Sequence, residues 1–485
     1  MSTRKIATST LWQLGSQVTM AALSVVTVKL VAIGLSMELA GYYNTAYGYL
    51  QIFGILADFG LYAVSVREVA RAGDGKNKVL GNLMTLRAII LTLSLGSALI
   101  IGWLIPHWQG TPLPLAITIA AFVPAFTLLA GILRTVFQVE YKMHYVFVAE
   151  VTQRIVTVSL TGAAVWWGIR NSSDTSSLFL ILAFGGIGSC TLFTLSMIFS
   201  DRVLPVRPRW DPEILGRLFR LCAPYGVAFL CTALYRQFDV TLIGLLRPND
   251  FELQNAYYGF VQRMMDMAYL LPTFLLNSTL PILSERDARG EDTRDFLGKI
   301  LLAILILGSI SSLFSALWPA PLMRMLTTER YLSTAIAPGS DTALRLLSIS
   351  MFGNGLLTFS FYVLLTKHRW KPLVTTLLIG VILSLMSNFV LIPKIGFVGA
   401  SITSGLTHVT LAILLLPQSL RIMPARITRT QMVQWLSFSL LLFIFLLVTR
   451  GVLTRPIITA IMIVVAGAWI VGSAWITKLH KMMKV

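Results

Sequence analysis

Charged residues are scarce in this 485-residue chain. Asp, Glu, Lys and Arg make up 12% of it, against about 25% in an ordinary soluble domain, while 56% of the residues are hydrophobic and the mean hydropathy is +0.76. Acidic residues are scarcer than basic ones, 21 against 39, which gives a net charge of +18. The basic residues fall in short segments between apolar runs, where topology and anionic headgroups account for them, so we expect no nucleic-acid partner.

Cysteine is also rare, and the common catalytic motifs are missing. The three cysteines form no CxxC pair, which argues against a disulfide framework or a cysteine zinc site. No GxxxxGK[ST], HExxH, GxSxG or calcium-loop pattern occurs, so we expect no catalytic residues, no metal site and no cofactor. A membrane glycosyltransferase or sugar polymerase is disfavoured, because segment 320–342 offers only Glu329 and Asp341 as acids.

Long apolar runs dominate the chain. About 20 apolar residues in a helix cross the hydrocarbon core, and backbone groups in lipid must be satisfied within such a helix. Short segments of alternating polarity, typical of a membrane β-barrel, do not occur. The sequence predicts an all-α polytopic membrane protein with about 14 transmembrane helices, at 8–33, 42–66, 80–105, 113–138, 145–169, 177–200, 217–245, 256–283, 299–319, 343–366, 372–393, 398–418, 431–449 and 456–477.

Loop charges predict the orientation. Most basic residues fall in alternate connections, one of which holds Arg67, Arg71 and Arg87, and the positive-inside rule then places the N-terminus in the cytoplasm. An even number of spans brings the C-terminus to the same side. The first apolar run is too long for the core of a signal peptide, so we interpret it as a retained span.

A short pattern recurs one half-chain apart. Glu38-Leu39 with Tyr43 precedes span two, and Glu252-Leu253 with Tyr257 precedes span eight. This indicates two six-helix lobes related by an axis along the membrane normal. We predict an N-lobe at 1–205 (helices 1–6), a C-lobe at 206–425 (helices 7–12), and helices 13–14 with a cytoplasmic tail at 426–485.

Two passages resemble a known family. Residues 58–71 read DFGLYAVSVREVAR, and residues 388–401 read NFVLIPKIGFVGAS. Together with Pro224 and the pair Tyr235 and Asp239, they resemble the Wzx-type O-antigen flippases, the polysaccharide transporter branch of the multidrug/oligosaccharidyl-lipid/polysaccharide (MOP) flippase superfamily.

The resemblance implies a MATE-like fold with a V-shaped central cavity. It implies a flippase of the cytoplasmic (inner or plasma) membrane that moves a polyprenyl-pyrophosphate-linked oligosaccharide by alternating access, for O-antigen, capsule or exopolysaccharide synthesis. The expected partners are this lipid-linked substrate, membrane lipids, and the polymerase and glycosyltransferases of the same pathway. Two alternatives stay open: a MATE-like ion-coupled exporter of drugs or metabolites, and a lipid II flippase of the same superfamily.

Ionisable residues inside spans are costly and usually face a protein interior or water. They are Lys29, Asp58, Arg134, Glu150, Arg154, Arg220, Arg236, Asp239, Arg263 and Asp266. The deep arginines Arg154, Arg236 and Arg263 suit phosphate oxygens, and with Lys29 they form the predicted cationic substrate site. Structural ion pairing is the alternative for the arginines, and snorkelling to the interface for Lys29.

Two further roles are predicted for charged residues. Asp58 and Asp239 are candidates for ion coupling, because burial favours the neutral form of a carboxylate. Arg67 and Arg71 share a helix face at the predicted cytoplasmic boundary, where they contact an entering lipid phosphate or anchor the helix end.

Overall fold

The chain folds into helices. The computed structural model describes residues 3–367, 369–477 and 479, and no strand occurs in these ranges apart from one isolated bridge between Leu35 and Ser172. The chain divides into two compact units, Met1–Ala256 and Tyr257–Val485. The helices that begin in the first unit are α1 (Thr3–Gly34), α2 (Met37–Asp58), α3 (Leu61–Arg71), α4 (Lys76–Leu104), α5 (Leu113–Ala120), α6 (Phe122–Val139), α7 (Met143–Trp166), α8 (Thr175–Asp201), α9 (Pro212–Arg236), α10 (Asp239–Leu246) and α11 (Phe251–Ala288).

Among the described residues, the second unit contains the rest of α11, which crosses the division, and six further α-helices. These are α12 (Arg294–Leu317), α13 (Pro319–Leu326), α14 (Ser340–Thr366), α15 (Trp370–Ile422), α16 (Arg429–Thr449) and α17 (Pro456–Ile476). The predicted lobe boundary at 205/206 coincides with the connection between α8 and α9, and the three-part division stays a prediction.

Every predicted span lies mostly in helix, although three of them are broken. Among the described residues, ten helical stretches are long and apolar enough to cross a membrane, and α15 spans two predicted segments. The predicted all-α, multi-pass class is therefore confirmed, whereas the count of 14 crossings and the cytoplasmic termini stay predictions. Most of the predicted tail after Thr477 lies outside the described residues. Two long helices, α2 and α7, do not meet the same criterion.

Span two is broken, where the sequence predicted a continuous helix at 42–66. Helix α2 ends at Asp58, and the next two residues, Phe59 and Gly60, are left-handed with φ of 42° and 73°. A Cβ on Gly60 would stand 2.5 Å from the Cβ of Tyr225 on α9, so both the backbone conformation and the close approach require glycine. The FGL motif is therefore a helix break docked on α9.

Apolar packing holds the short helix α3 that follows the break. Leu61 and Val64 lie in a buried cluster with Leu83 of α4, Leu133 of α6 and Leu218 of α9. Burial of a leucine side chain stabilises by about 1.5–3 kcal/mol, so this cluster strongly couples α9 to the helices of the first half.

Proline explains a second break. The sequence predicted one span at 113–138, but α5 ends at Ala120 and α6 begins at Phe122. Pro124 has no backbone N–H for the carbonyl of Ala120, and its ring crowds that carbonyl, so the helix bends there.

The predicted turn between spans eleven and twelve is confirmed. Within α15 the backbone leaves helical geometry at Ile395 and Gly396, just after Pro393. A Cβ on Gly399 would stand 2.7 Å from the backbone of Leu391, so the two arms of α15 meet at backbone distance. The motif in residues 388–401 is structural.

We predict that Gly60→Ala destabilises the protein by about 2–4 kcal/mol, because alanine is strained at this φ and overlaps Tyr225. Gly131→Ala is the matched control, since nothing lies within 4 Å of a Cβ there and alanine favours helix. Thermal unfolding in detergent, followed by tryptophan fluorescence, measures both. Equal unfolding temperatures for Gly60→Ala and wild type would contradict the conclusion that this helix break requires glycine.

Candidate substrate site

The predicted cationic residues lie on four different helices. Arg154 is in the middle of α7, one of the two helices too polar for the apolar criterion, and Arg263 is in α11. Lys29 is near the end of α1, and Arg236 is the last residue of α9. All four side chains are half-buried. Lys29, Arg154 and Arg236 belong to the first unit and Arg263 to the second.

Helices α1 and α7 pack side by side and run in the same direction. A Cβ on Gly15 would contact Phe147, and a Cβ on Gly162 would contact Leu30 at 3.7 Å. With a rise of about 1.5 Å per residue, Lys29 therefore lies roughly 10 Å further along this pair than Arg154. The two cations occupy different depths.

An ion pair in the same unit involves Glu150, four residues before Arg154. Its carboxylate lies 2.8 Å from Nη1 of Arg134 on α6, and it also accepts a hydrogen bond from Ser16 of α1. The pair is mostly buried, with 21% and 12% of the two side chains exposed. Glu150 thus joins three helices, and Arg134 has a structural partner instead of snorkelling to the interface.

Asp58 is paired with Arg87, which the analysis of loop charge assigned to a cytoplasmic connection although it falls within the predicted span 80–105. Nη1 of Arg87 lies 2.7 Å from the Asp58 carboxylate, and the Arg87 side chain is only 1% exposed. Arg87 lies within α4, so its predicted position in a cytoplasmic connection is wrong. The negative charge of Asp58 offsets the desolvation cost of burying the Arg87 guanidinium.

Arg236 and Asp239 are separated by a helix break. The sequence placed them one turn apart on a continuous span at 217–245, but α9 ends at Arg236 and α10 begins at Asp239. The Asp239 side chain is 1% exposed. The continuous helix predicted at 217–245 is therefore wrong, and the aspartate stands at the start of a new helix.

Arg67 and Arg71 lie on the short helix α3 and are exposed. Glu68 between them is buried, and its carboxylate lies 3.8 Å from Arg67 and 3.6 Å from Arg217 at the start of α9. This buried acid holds two exposed guanidinium groups on one face. No local signal in the sequence points to Arg217, because that residue is about 150 positions away in the chain.

Sequence comparison identifies the family. A profile described as "Polysaccharide biosynthesis protein" matches residues 6–287, more than half of the chain. The chain belongs to this polysaccharide biosynthesis family. The matched region includes all eight of the predicted site residues. A search of curated proteins finds no significant match.

Solved structures show that this family member has the MOP superfamily fold. "Lipid II flippase MurJ, inward closed conformation" matches with a TM-score of 0.70 and 14% identity, over 97% of this chain and 98% of that chain. The MATE multidrug transporter DinF-BH matches with 0.61 and 15%, over 88% and 98%. An inward-facing MATE family multidrug resistance transporter of the MOP superfamily gives 0.60 and 13%, over 85% and 98%. These matches confirm the predicted fold.

We predict that Asp58→Asn destabilises this family member by on the order of 3 kcal/mol, because it leaves the buried guanidinium of Arg87 without its charge partner. The double variant Asp58→Leu with Arg87→Met should recover most of the loss, since both charges are then replaced by apolar groups. Thermal unfolding in detergent compares the variants. A double variant less stable than Asp58→Asn would show that the pair is not the main role of Arg87.

Proposed function

We propose that this protein flips a polyprenyl-pyrophosphate-linked oligosaccharide across the cytoplasmic membrane for surface polysaccharide synthesis, by alternating access. The observation that carries the proposal is the family match over residues 6–287, supported by the fold. The family supplies the polysaccharide pathway, and the MOP fold supports movement of an amphipathic substrate across the bilayer. The polymerase and glycosyltransferases of the pathway are its proposed partners.

The half-buried cations supply the chemistry for the headgroup. Arginine presents a planar fork of donors that matches phosphate oxygens. We assign the pyrophosphate to Arg154, Arg236 and Arg263. Lys29, roughly 10 Å from Arg154 along α1 and α7, is assigned to a more distant part of the headgroup.

The entrance is assigned to the exposed face of α3. Arg67 and Arg71 are the proposed first phosphate contacts, and Arg217 joins them because Glu68 holds it beside Arg67. The single negative charge of Glu68 does not balance the positive charges of the three arginines, so this surface keeps excess positive charge. Such a surface attracts an anionic headgroup at the cytoplasmic leaflet.

Asp58 and Asp239 are the proposed coupling carboxylates. Protonation of Asp58 would break its ion pair with Arg87 and so loosen the contact between α2 and α4. Asp239 is almost wholly buried at the start of α10, so a change in its charge would act at a helix break. At both positions, binding or release of a proton would therefore change the charge beside a backbone break in the first unit.

The substrate assignment is tested by replacing Arg154, Arg236 or Arg263 with Ala. Loss of a charged hydrogen bond to phosphate costs about 1.5–3 kcal/mol, so we expect delivery of surface polysaccharide to fall roughly tenfold or more at unchanged protein levels. Replacement by Lys keeps the charge and should leave a partial activity. Arg450→Ala, exposed between α16 and α17, is the control.

The rival functions give different results in the same variants. Flipping in proteoliposomes is compared for a fluorescent polyprenyl-pyrophosphate oligosaccharide, for lipid II, and for a cationic dye under a proton or sodium gradient. We expect only the oligosaccharide lipid to move at a useful rate. Transport of lipid II or the dye alone, or wild-type delivery by all three alanine variants, would contradict the proposal.

A further inference from the structure

The connection between α8 and α9 is fixed by its backbone to the start of α4. We call this connection, residues 202–211, the first strap. The N–H of Arg209 donates a hydrogen bond of 3.1 Å to the carbonyl of Gly81. A Cβ on Gly81 would overlap the carbonyl oxygen of Arg207, so the first strap lies on α4 at backbone distance. This approach requires glycine at position 81.

Apolar packing and proline also restrict the course of the first strap. Val206 is buried in the cluster that contains Leu80 and Leu83 of α4. Pro205 and Pro208, on either side, have φ fixed by their rings. The fold therefore sets the conformation of this strap, independently of its charged side chains.

Asp211 fixes the end of the first strap. Its N–H donates to Oδ1 of Asn82 at 2.9 Å, and its carboxylate lies 2.7 Å from Nζ of Lys78. The carboxylate also accepts a hydrogen bond from the N–H of Ile214 and so caps α9. The hydrogen bond from Lys78 holds the pKa of Asp211 below its usual range. The negative charge of Asp211 is thus paired with Lys78 and not with an arginine of the strap.

The connection between α15 and α16 repeats this arrangement within the second unit. We call residues 423–428 the second strap. A Cβ on Gly298 of α12 would overlap the carbonyl oxygen of Arg426, and the N–H of Arg426 donates to the carbonyl of Arg294 at 3.0 Å. Met423 is buried in an apolar cluster with residues of α12. In each unit, a connection is therefore locked onto a glycine near the start of a long helix.

The two straps share a sequence pattern and a predicted location. Residues 205–207 and 424–426 both read P-x-R, and in each the carbonyl of the arginine faces the glycine. The straps follow predicted spans six and twelve, so both lie on the predicted cytoplasmic side. Each is followed at once by a helix that is apolar enough to cross a membrane, α9 or α16. Their predicted depth is therefore that of the lipid headgroups.

The arginines of both straps are exposed. These are Arg207 and Arg209 in the first strap, and Arg426 with the following residue, Arg429, in the second. Among the described residues, no carboxylate lies within ion-pair distance of any of the four. Trp210, next to Arg209, is 70% exposed, and tryptophan is enriched at membrane–water interfaces. Each strap thus presents uncompensated positive charge from a fixed backbone.

We infer that the two straps are binding surfaces for the headgroups of anionic phospholipids in the cytoplasmic leaflet. A guanidinium group presents donors that match phosphate oxygens, and a fixed backbone lowers the entropy cost of binding. The positive-inside rule by itself requires charge near the ends of spans and no particular backbone conformation. The contacts at Gly81 and Gly298 supply that conformation. The inference does not depend on the proposed substrate.

The first test removes the charge of each strap. The purified protein is titrated in detergent with short-chain phosphatidylglycerol and with phosphatidylcholine of the same chains, and native mass spectrometry counts the bound lipids. Arg207→Gln with Arg209→Gln changes the first strap, and Arg426→Gln with Arg429→Gln changes the region of the second.

The matched control is Arg450→Gln with Arg455→Gln, which removes the same charge from two exposed arginines between α16 and α17. We expect each strap variant to lose one tightly bound phosphatidylglycerol, with binding at that strap weakened roughly tenfold or more. The control should bind phosphatidylglycerol as the wild type does, and binding of phosphatidylcholine should be unchanged in every variant.

Three results of this titration would overturn the inference. The first is equal binding of the two lipids by the wild type. The second is an equal loss in the control variant, because net charge would then be the cause. The third is binding of soluble glycerol phosphate as tight as that of phosphatidylglycerol, because the surface would then be a site for free phosphate.

The second test displaces the first strap and keeps its charge. Gly81→Ala adds a methyl group that overlaps the backbone of Arg207, whereas a Cβ on Gly96 of the same helix has nothing within 4 Å. We expect folded Gly81→Ala to lose one tightly bound phosphatidylglycerol and Gly96→Ala to keep it. Unchanged lipid binding by folded Gly81→Ala would contradict a site built on this contact. If Gly81→Ala does not fold, the arginine variants decide, because they leave the backbone contact in place.

Discussion

A polar or charged side chain inside a bilayer needs a protein partner or water, and this constraint organises the whole structure. Most long helices satisfy it by being apolar. Two do not, α2 and α7, and each carries a mostly buried ion pair with another helix. Glu150 of α7 is paired with Arg134, and the end of α2 is paired with Arg87. Glu150 and Asp58 therefore lie where their helices meet other helices of the first unit.

The positions of the helices could be predicted from the sequence, because an apolar run about 20 residues long has few alternatives in lipid. The breaks within them could not. The left-handed backbone at Phe59 and Gly60 depends on how closely α9 approaches, which is a tertiary fact. The turn at Gly396 had a local signal, the proline and glycines around it. Pro124 carried the same kind of signal, although the sequence analysis treated that span as continuous.

The cationic residues could be predicted as individuals, since a charge deep in an apolar run is unusual. Their partners could not, because an ion pair between helices leaves no trace in local sequence. Arg87 was misplaced for this reason, as its partner Asp58 lies about 30 residues away. Arg217 was likewise found only through its contact with Glu68.

The central claim is that half-buried guanidinium groups hold an anionic lipid headgroup. The most direct measurement is the thermal midpoint of the purified protein with a polyprenyl-pyrophosphate oligosaccharide and with the neutral polyprenol of equal chain length. A ligand that binds the folded state raises the midpoint in proportion to its affinity. The account predicts a rise with the pyrophosphate lipid alone, lost when Arg154, Arg236 and Arg263 are all replaced by Ala. Equal rises with both lipids would contradict it.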